Sequence, residues 1–353
     1  MAIIDKPSDF FNTVLYTGNG GTQAITGVGF SPGLNWLKDR DGTPSHVLHD
    51  TTRGVASRLM SNNTNAPDNG SQINSFDADG FTVPNNNNNT NGSDFVAWNW
   101  KTGTNMSGNT TGSGTAKPYS GSKNTTSGFA LIKYTGNGTS GHAIPHNLGT
   151  APKYMLVKSL AVNDWAVYQQ GFRLNGGNPY NAYMYLNLTQ EEAGGSVHWG
   201  GAIPGTTTFT VGTSNRTNTN GQEYIAYVWS EIPGYSKFNT YFGNGNANGP
   251  FIYCGFKPAW IMIKTLTSNQ QGGWQLRDNK RTPAGNLTNN LLYANATSAE
   301  QTTDGINILS NGFKFLNTAG DNNASGRLYA FFAYAEQPFV TSTGNGSIPA
   351  TAR

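Results

Sequence analysis

His46, His49 and Asp50 fall close together in "HVLHDTTR", near enough to raise a metal site. The pattern does not extend. The only cysteine, Cys254, lies far along the chain in the apolar run "FIYCGF". A related segment, "WQLRDNKR", has Trp274 where the first has His46 and Arg277 where it has His49. A metal would need further ligands, so no metal and no cofactor are expected. Asp50 and Arg53 do recur, as Asp278 and Arg281. A carboxylate and a guanidinium at that spacing suit an ion pair that ties a strand end to its loop. The middle copy, "WAVYQQGFR", has Gln169 in place of the aspartate, which argues for structure over catalysis. No Gly-X-Ser-X-Gly elbow, Walker loop or dinucleotide fingerprint occurs. Paired carboxylates for glycoside cleavage would have to come from Glu191 and Glu192, or from Asp77 and Asp79, all in loop-like stretches. No enzyme is expected. Cys254 reads as packing, because nothing near it in sequence would lower its pKa.

The aromatic residues are the other candidates. Trp36, Trp229, Trp260 and Trp274 stand on recurring strand-like runs and are expected in the core. Trp199 and His198, in "SVHWGGAIPG", lie outside the recurring pattern. They read either as an exposed platform for sugar rings or partner proteins, or as a packed insertion loop.

The elements that must position these residues come in three copies. The landmark "YTGNG" at 16–20 returns at 134–138 and as "YFGNG" at 241–245, with a stub, "TGNG", at 343–346. Five further landmarks keep the same order, among them "GFSPGLNWLK", "LGTAPKYMLVK" and "GFKPAWIMIK", each a proline and a hydrophobic run closed by lysine. Another set is "NGSDFVAWNW", "NGQEYIAYVW" and "SGRLYAFFAY". Preserved order is the mark of internal repetition. The units span 8–101, 128–234 and 235–339. Residues 102–127 are rich in Gly, Ser, Thr and Asn without hydrophobic pattern, and read as a flexible or surface-laid linker. Residues 340–353 form a tail.

Hydrophobic residues at 36%, aromatics at 12% and charged residues at only 12% fit packed strands between Gly/Asn turns. In "YIAYVW", Tyr224, Ala226 and Val228 fall on one side and Ile225, Tyr227 and Trp229 on the other. Both sides are apolar, as for a strand buried in a sandwich or against a neighbouring unit. "TQEEAGG" at 189 is long enough for one helical turn. Asn19-Gly20, Asn137-Gly138 and Asn244-Gly245 read as structural type I′ turns joining the first two strands of each unit. The net charge of +3 carries no basic stripe, so nucleic acid is not an expected partner. No run reaches the ~18 apolar residues of a membrane helix. The N-terminal "MAIIDKPSDFF" lacks a signal-peptide core, so assembly in a cytoplasm is expected.

"NTVLYTGNG", "WNWK", "IPGYSKFNTYFGNGNANGPFIYCGFKPAWIMIK", "NGFKF" and the ending "IPATAR" resemble a family of tailed-phage virion proteins from marine and cyanobacterial phages. The resemblance implies three tandem antiparallel β-sandwiches of the lectin-like, concanavalin-like jelly-roll kind. It implies a non-enzymatic structural protein on the virion exterior: a tail fibre or tail appendage touching host surface glycan, or a capsid decoration or head-fibre protein. Its partners would be other tail or capsid proteins and further copies of itself, a trimer favoured. Tandem sandwiches would make a stiff rod. A carbohydrate-binding module would instead show exposed Trp or Tyr at equivalent positions. A glycan depolymerase would show two carboxylates ~5–10 Å apart in a groove.

Overall fold

A computed structural model describes residues 4–173, 177–267, 272–282 and 285–338. Their regular structure is almost entirely antiparallel β, with two single-turn 3₁₀ helices at Pro7–Asp9 and Pro179–Asn181. The same strand arrangement occurs three times. In the first unit one sheet runs, neighbour to neighbour, Phe11–Thr17, Asp94–Trp100, Leu34–Asp39, Val47–Asp50 and Leu59–Met60. In the second the order is Phe129–Thr135, Glu223–Ser230, Pro152–Ser159, Trp165–Gln169 and Ala182–Tyr185. In the third it is Ser236–Phe242, Leu328–Pro338, Phe256–Thr265, Gln275–Asp278 and Leu287–Tyr293. A smaller layer faces each: Gln23–Ile25 with Gly80–Val83, His142–Pro145 with Thr208–Val211, and Phe251–Tyr253 with Gly312–Phe315. Each unit is thus a β-sandwich.

The period-2 alternation decides what each face does. Ile132, Tyr224, Ala226 and Phe209 fill the interior of the second sandwich. Ile261, Phe331 and Phe313 fill the third, and Leu37, Ala97 and Phe81 the first. The alternate residues of the large sheets turn the other way, into one further core shared by all three units. Trp100 of the first unit lies edge-on to Trp229 of the second, 6.2 Å between centroids, and to Trp260 of the third, 5.8 Å. Tyr154 and Phe332 close the remaining side at 4.2 Å. The rings leave a void of only about 10 Å³. Tandem sandwiches therefore do not form the expected rod. A sheet with two apolar faces must cover both, and three such sheets cover their second faces with one another.

Of the two readings of residues 102–127, the surface-laid one fits: Thr104–Asn109 pairs with Pro118–Asn124, which pairs with Phe129–Thr135, adding two largely exposed strands to the second unit's sheet. Thr104–Asn109 is mostly exposed on both faces, so it carries no hydrophobic alternation to read. Residues 189–195 form no helical turn; Ala193–Gly194 is a short strand paired with Ala182–Tyr183. The stub at 343–346 and the tail at 340–353 lie outside the described residues.

Candidate functional site

The repeated Gly-Asn-Gly loops are built around one buried asparagine each. Gly20, Gly138 and Gly245 have φ of 67°, 76° and 64°. The preceding asparagines do not have positive φ, so the turns are not type I′. Nor do they join paired strands: Phe11–Thr17 belongs to one layer and Gln23–Ile25 to the other. The loop is an arch between layers, and its polar backbone needs partners that a hairpin ladder would have supplied. Asn89, Asn218 and Asn323, all buried, supply them. Asn218 Oδ1 accepts the Asn137 amide at 2.9 Å, and its Nδ2 donates to the carbonyls of Thr139 and Gly212 at 2.9 and 2.6 Å. Asn89 and Asn323 accept the amides of Asn19 and Asn244 in the same way, each at 2.9 Å. Asn19, Asn137 and Asn244 turn their own Oδ1 onto the amide two residues on. The side-chain oxygen and nitrogen of each buried asparagine are committed to protein partners, so these residues act as structural joints. Gly138→Val puts a β-branched side chain at positive φ, with its Cβ 3.4 Å from that of Asn220. It should cost at least ~1–2 kcal/mol, read as a lower urea midpoint, with no separate binding defect.

The Asp–Arg pairs sit where units meet. Arg53 Nε donates to Asp50 Oδ2 at 2.6 Å, and Tyr227 of the second unit donates its hydroxyl to the same oxygen at 2.8 Å. Arg281 Nε donates to Asp278 Oδ2 at 2.6 Å, and Trp98 of the first unit donates its indole N–H there at 3.0 Å. The other carboxylate oxygen of each accepts two loop amides. At the third junction the position of Trp98 and Tyr227 is held by Phe332, which has nothing to donate. The aspartate position holds Gln169, and Phe172, not Arg173, stands at the arginine spacing. Charge and donor are lost together there, which accounts for Gln169 in place of the aspartate. A second set of bonds closes the ring: Trp165 donates to the Met60 carbonyl at 2.9 Å and Trp274 to the Tyr185 carbonyl at 3.1 Å. His46, in the corresponding place, instead accepts the Trp36 indole N–H of its own unit at 3.0 Å.

His198 and Trp199 are buried, 2% and 1% exposed, and make no platform. The His198 ring stacks on Tyr183 at 4.0 Å and burial holds its pKa at about 4. The Trp199 indole donates to the Ala182 carbonyl at 3.0 Å. The packed-loop reading is the one realised: Trp199 packs into the interior of the second sandwich, edge-on to Tyr168 at 5.6 Å. His49 bonds the Ser71 carbonyl. Cys254 is buried and its thiol pKa raised. Asp79 accepts the amides of Gly27 and Gly29, which lower its pKa, and Asp77 accepts the Thr82 hydroxyl.

One constellation escaped the sequence reading. The lysines that close the three hydrophobic runs, Lys38, Lys158 and Lys264, are fully buried. Each Nζ donates to two backbone carbonyls: Asp39 and Gly42, Ser159 and Ala161, Thr189 and Gly272. Burial pulls their pKa values to about 8, 7 and 7. The recurrence of the lysine was the available signal, but a terminal lysine normally reads as solvated. In the unfolded chain these amines protonate below ~10.4. Between about pH 8 and 10 the unfolded state therefore binds more protons, and stability should rise with pH, by up to ~1.4 kcal/mol per unit for each lysine. Above ~10 the trend should reverse, because burial raises the pKa of Tyr16, Tyr134 and Tyr227 and only the unfolded chain then ionises them. Urea midpoints from pH 7 to 11 check both limbs.

The fold and its joints define an all-β protein whose three sandwiches close on a common core, with its buried polar groups used as fasteners. The chain belongs to the family described as a domain of unknown function, DUF7483, whose model matches residues 6–338. That single match runs across all three sandwiches. No curated protein and no solved structure matches the chain.

Proposed function

We propose that this is a non-enzymatic structural protein of a tailed-phage virion exterior, acting as a tail appendage in contact with the host surface. The observation that carries the reading is the commitment of the recurring polar groups to inter-layer and inter-unit bonds. Asn89, Asn218, Asn323, Asp50, Asp278 and the three lysines all hold backbone or neighbouring units. The motifs "NTVLYTGNG" and "IPGYSKFNTYFGNG" supply the phage resemblance. A capsid decoration protein is the second reading, favoured by the shared core, which makes a block rather than a rod. Gold-labelled antibody on intact particles tests both. Label at the tail supports the appendage, label around the head supports decoration, and absence of label from particles refutes the virion reading.

A further inference from the structure

Each junction between units carries a surface groove, and the three differ in charge. The one between the first and second units is lined by Thr51, Thr52 and the polar face of the 104–124 hairpin, without a charged side chain. The one between the third and first units holds Lys280 and Glu336. The one between the second and third units, about 600 Å³, gathers Lys153, Arg173, Lys237 and Glu231. Glu231 is used up by Lys237 at 2.8 Å. No carboxylate lies within ion-pair distance of Lys153 or Arg173 among the described residues, so the groove keeps two uncompensated cations in a protein with only 12% charged residues.

We propose that this groove binds an acidic saccharide, a glycan carrying uronate carboxylates. The volume lies within the ~300–1,000 Å³ of small-ligand sites. The strand Ser236–Phe242 is the edge of its sheet and supplies one wall. By alternation Phe238, Thr240 and Phe242 share a face that runs from the buried core outward; Phe238 is 5% exposed and Phe242 56%. Arg173 lies over the Phe242 ring at 5.7 Å. Phe242 does not itself line the groove; its ring holds the Arg173 guanidinium that does. Gln170, Asn239 and Thr240 offer amides and a hydroxyl to its hydroxyl groups. The guanidinium suits a carboxylate bidentately. Polyphosphate or inorganic phosphate would need the cations but not the amides.

The site deepens the reading as a surface protein touching glycan and rests on it for its biological sense, but it is tested on the purified chain. Isothermal titration with oligogalacturonate, a neutral oligogalactan and inorganic polyphosphate separates the ligand classes. Oligogalacturonate should bind, more weakly at 500 than at 50 mM salt, while the other two should not compete. Lys153→Gln and Arg173→Gln should each weaken it about tenfold or more. Phe242→Ala should also weaken it, with the urea midpoint unchanged in all three variants. Equal binding of the neutral chain, equal competition by polyphosphate, or full affinity in the two cation variants would each overturn the proposal. Failure here leaves particle labelling untouched, and failure of labelling leaves the titration standing, so the two results separate.

Discussion

Asp50→Ala should destabilise the protein by roughly 3–5 kcal/mol, the range for removing one partner of a buried ion pair. Both side chains are almost fully inaccessible, 2% for Arg53 and 0% for Asp50. Without the carboxylate, Arg53 keeps carbonyl partners at Leu48 and Ser57 but no anion. Tyr227 loses its acceptor and two loop amides lose theirs. Asp278→Ala provides the internal comparison. Arg281 there has a second carboxylate, Glu300, whose Oε2 lies 2.7 Å from Nη1. Its loss should therefore be smaller by ~1 kcal/mol or more, since hydrogen bonds to charged groups are worth ~1.5–3 kcal/mol. Urea unfolding of the two variants side by side checks the order. Equal losses would mean that the bonds to the neighbouring unit, not the stranded guanidinium, dominate.

The second large effect should come from Asn218→Ala. One amide side chain joins the Asn137 turn, the Thr139 and Gly212 carbonyls and the His142 ring, at 2.6 to 3.0 Å. Alanine removes a small volume but strips the buried Gly212 carbonyl and His142 ring nitrogen and the half-buried Asn137 amide of this partner, at ~1–3 kcal/mol for each group left fully dry. A loss of roughly 3 kcal/mol is expected, reached if water re-enters in part. Asn218→Asp keeps the acceptor and turns a carboxylate toward two carbonyl oxygens, so it should not restore stability at neutral pH. Hydrogen exchange should locate the damage: amides of 136–142 should lose protection in Asn218→Ala. Protection unchanged there, with stability lost elsewhere, would contradict the joint assigned to this residue.

Much of the architecture can be read from side-chain alternation. Tyr224, Ala226 and Val228 face their own sandwich, and Ile225, Tyr227 and Trp229 face the shared core. What alternation does not say is which neighbour covers the second face, and a rod and a ring write the same strand. Asn-Gly was legible as a turn but not as an arch, because layer membership depends on pairing partners such as Asp94–Trp100, about 80 residues away in sequence. The fastening asparagines are similarly distant, and Asn89 sits inside a run of asparagines that looks like solvated loop. Trp199 was ambiguous because an insertion outside the repeat has no periodicity to assign it a side. The cationic groove could not be found at all from sequence, since Lys153 and Lys237 belong to different units.

The closed ring within one chain has a genetic consequence. Were the ring three identical chains, any codon change would be installed at every junction at once. A change tolerable at one contact and ruinous at the other two would be lost. Covalent linkage removes that constraint. Gln169, Phe172 and Phe332 can abandon the charged fastening at one seam while Asp50 and Asp278 keep it at the others. The same freedom lets the seams carry unlike surfaces, so a protein built on threefold repetition can offer a partner a single, oriented face.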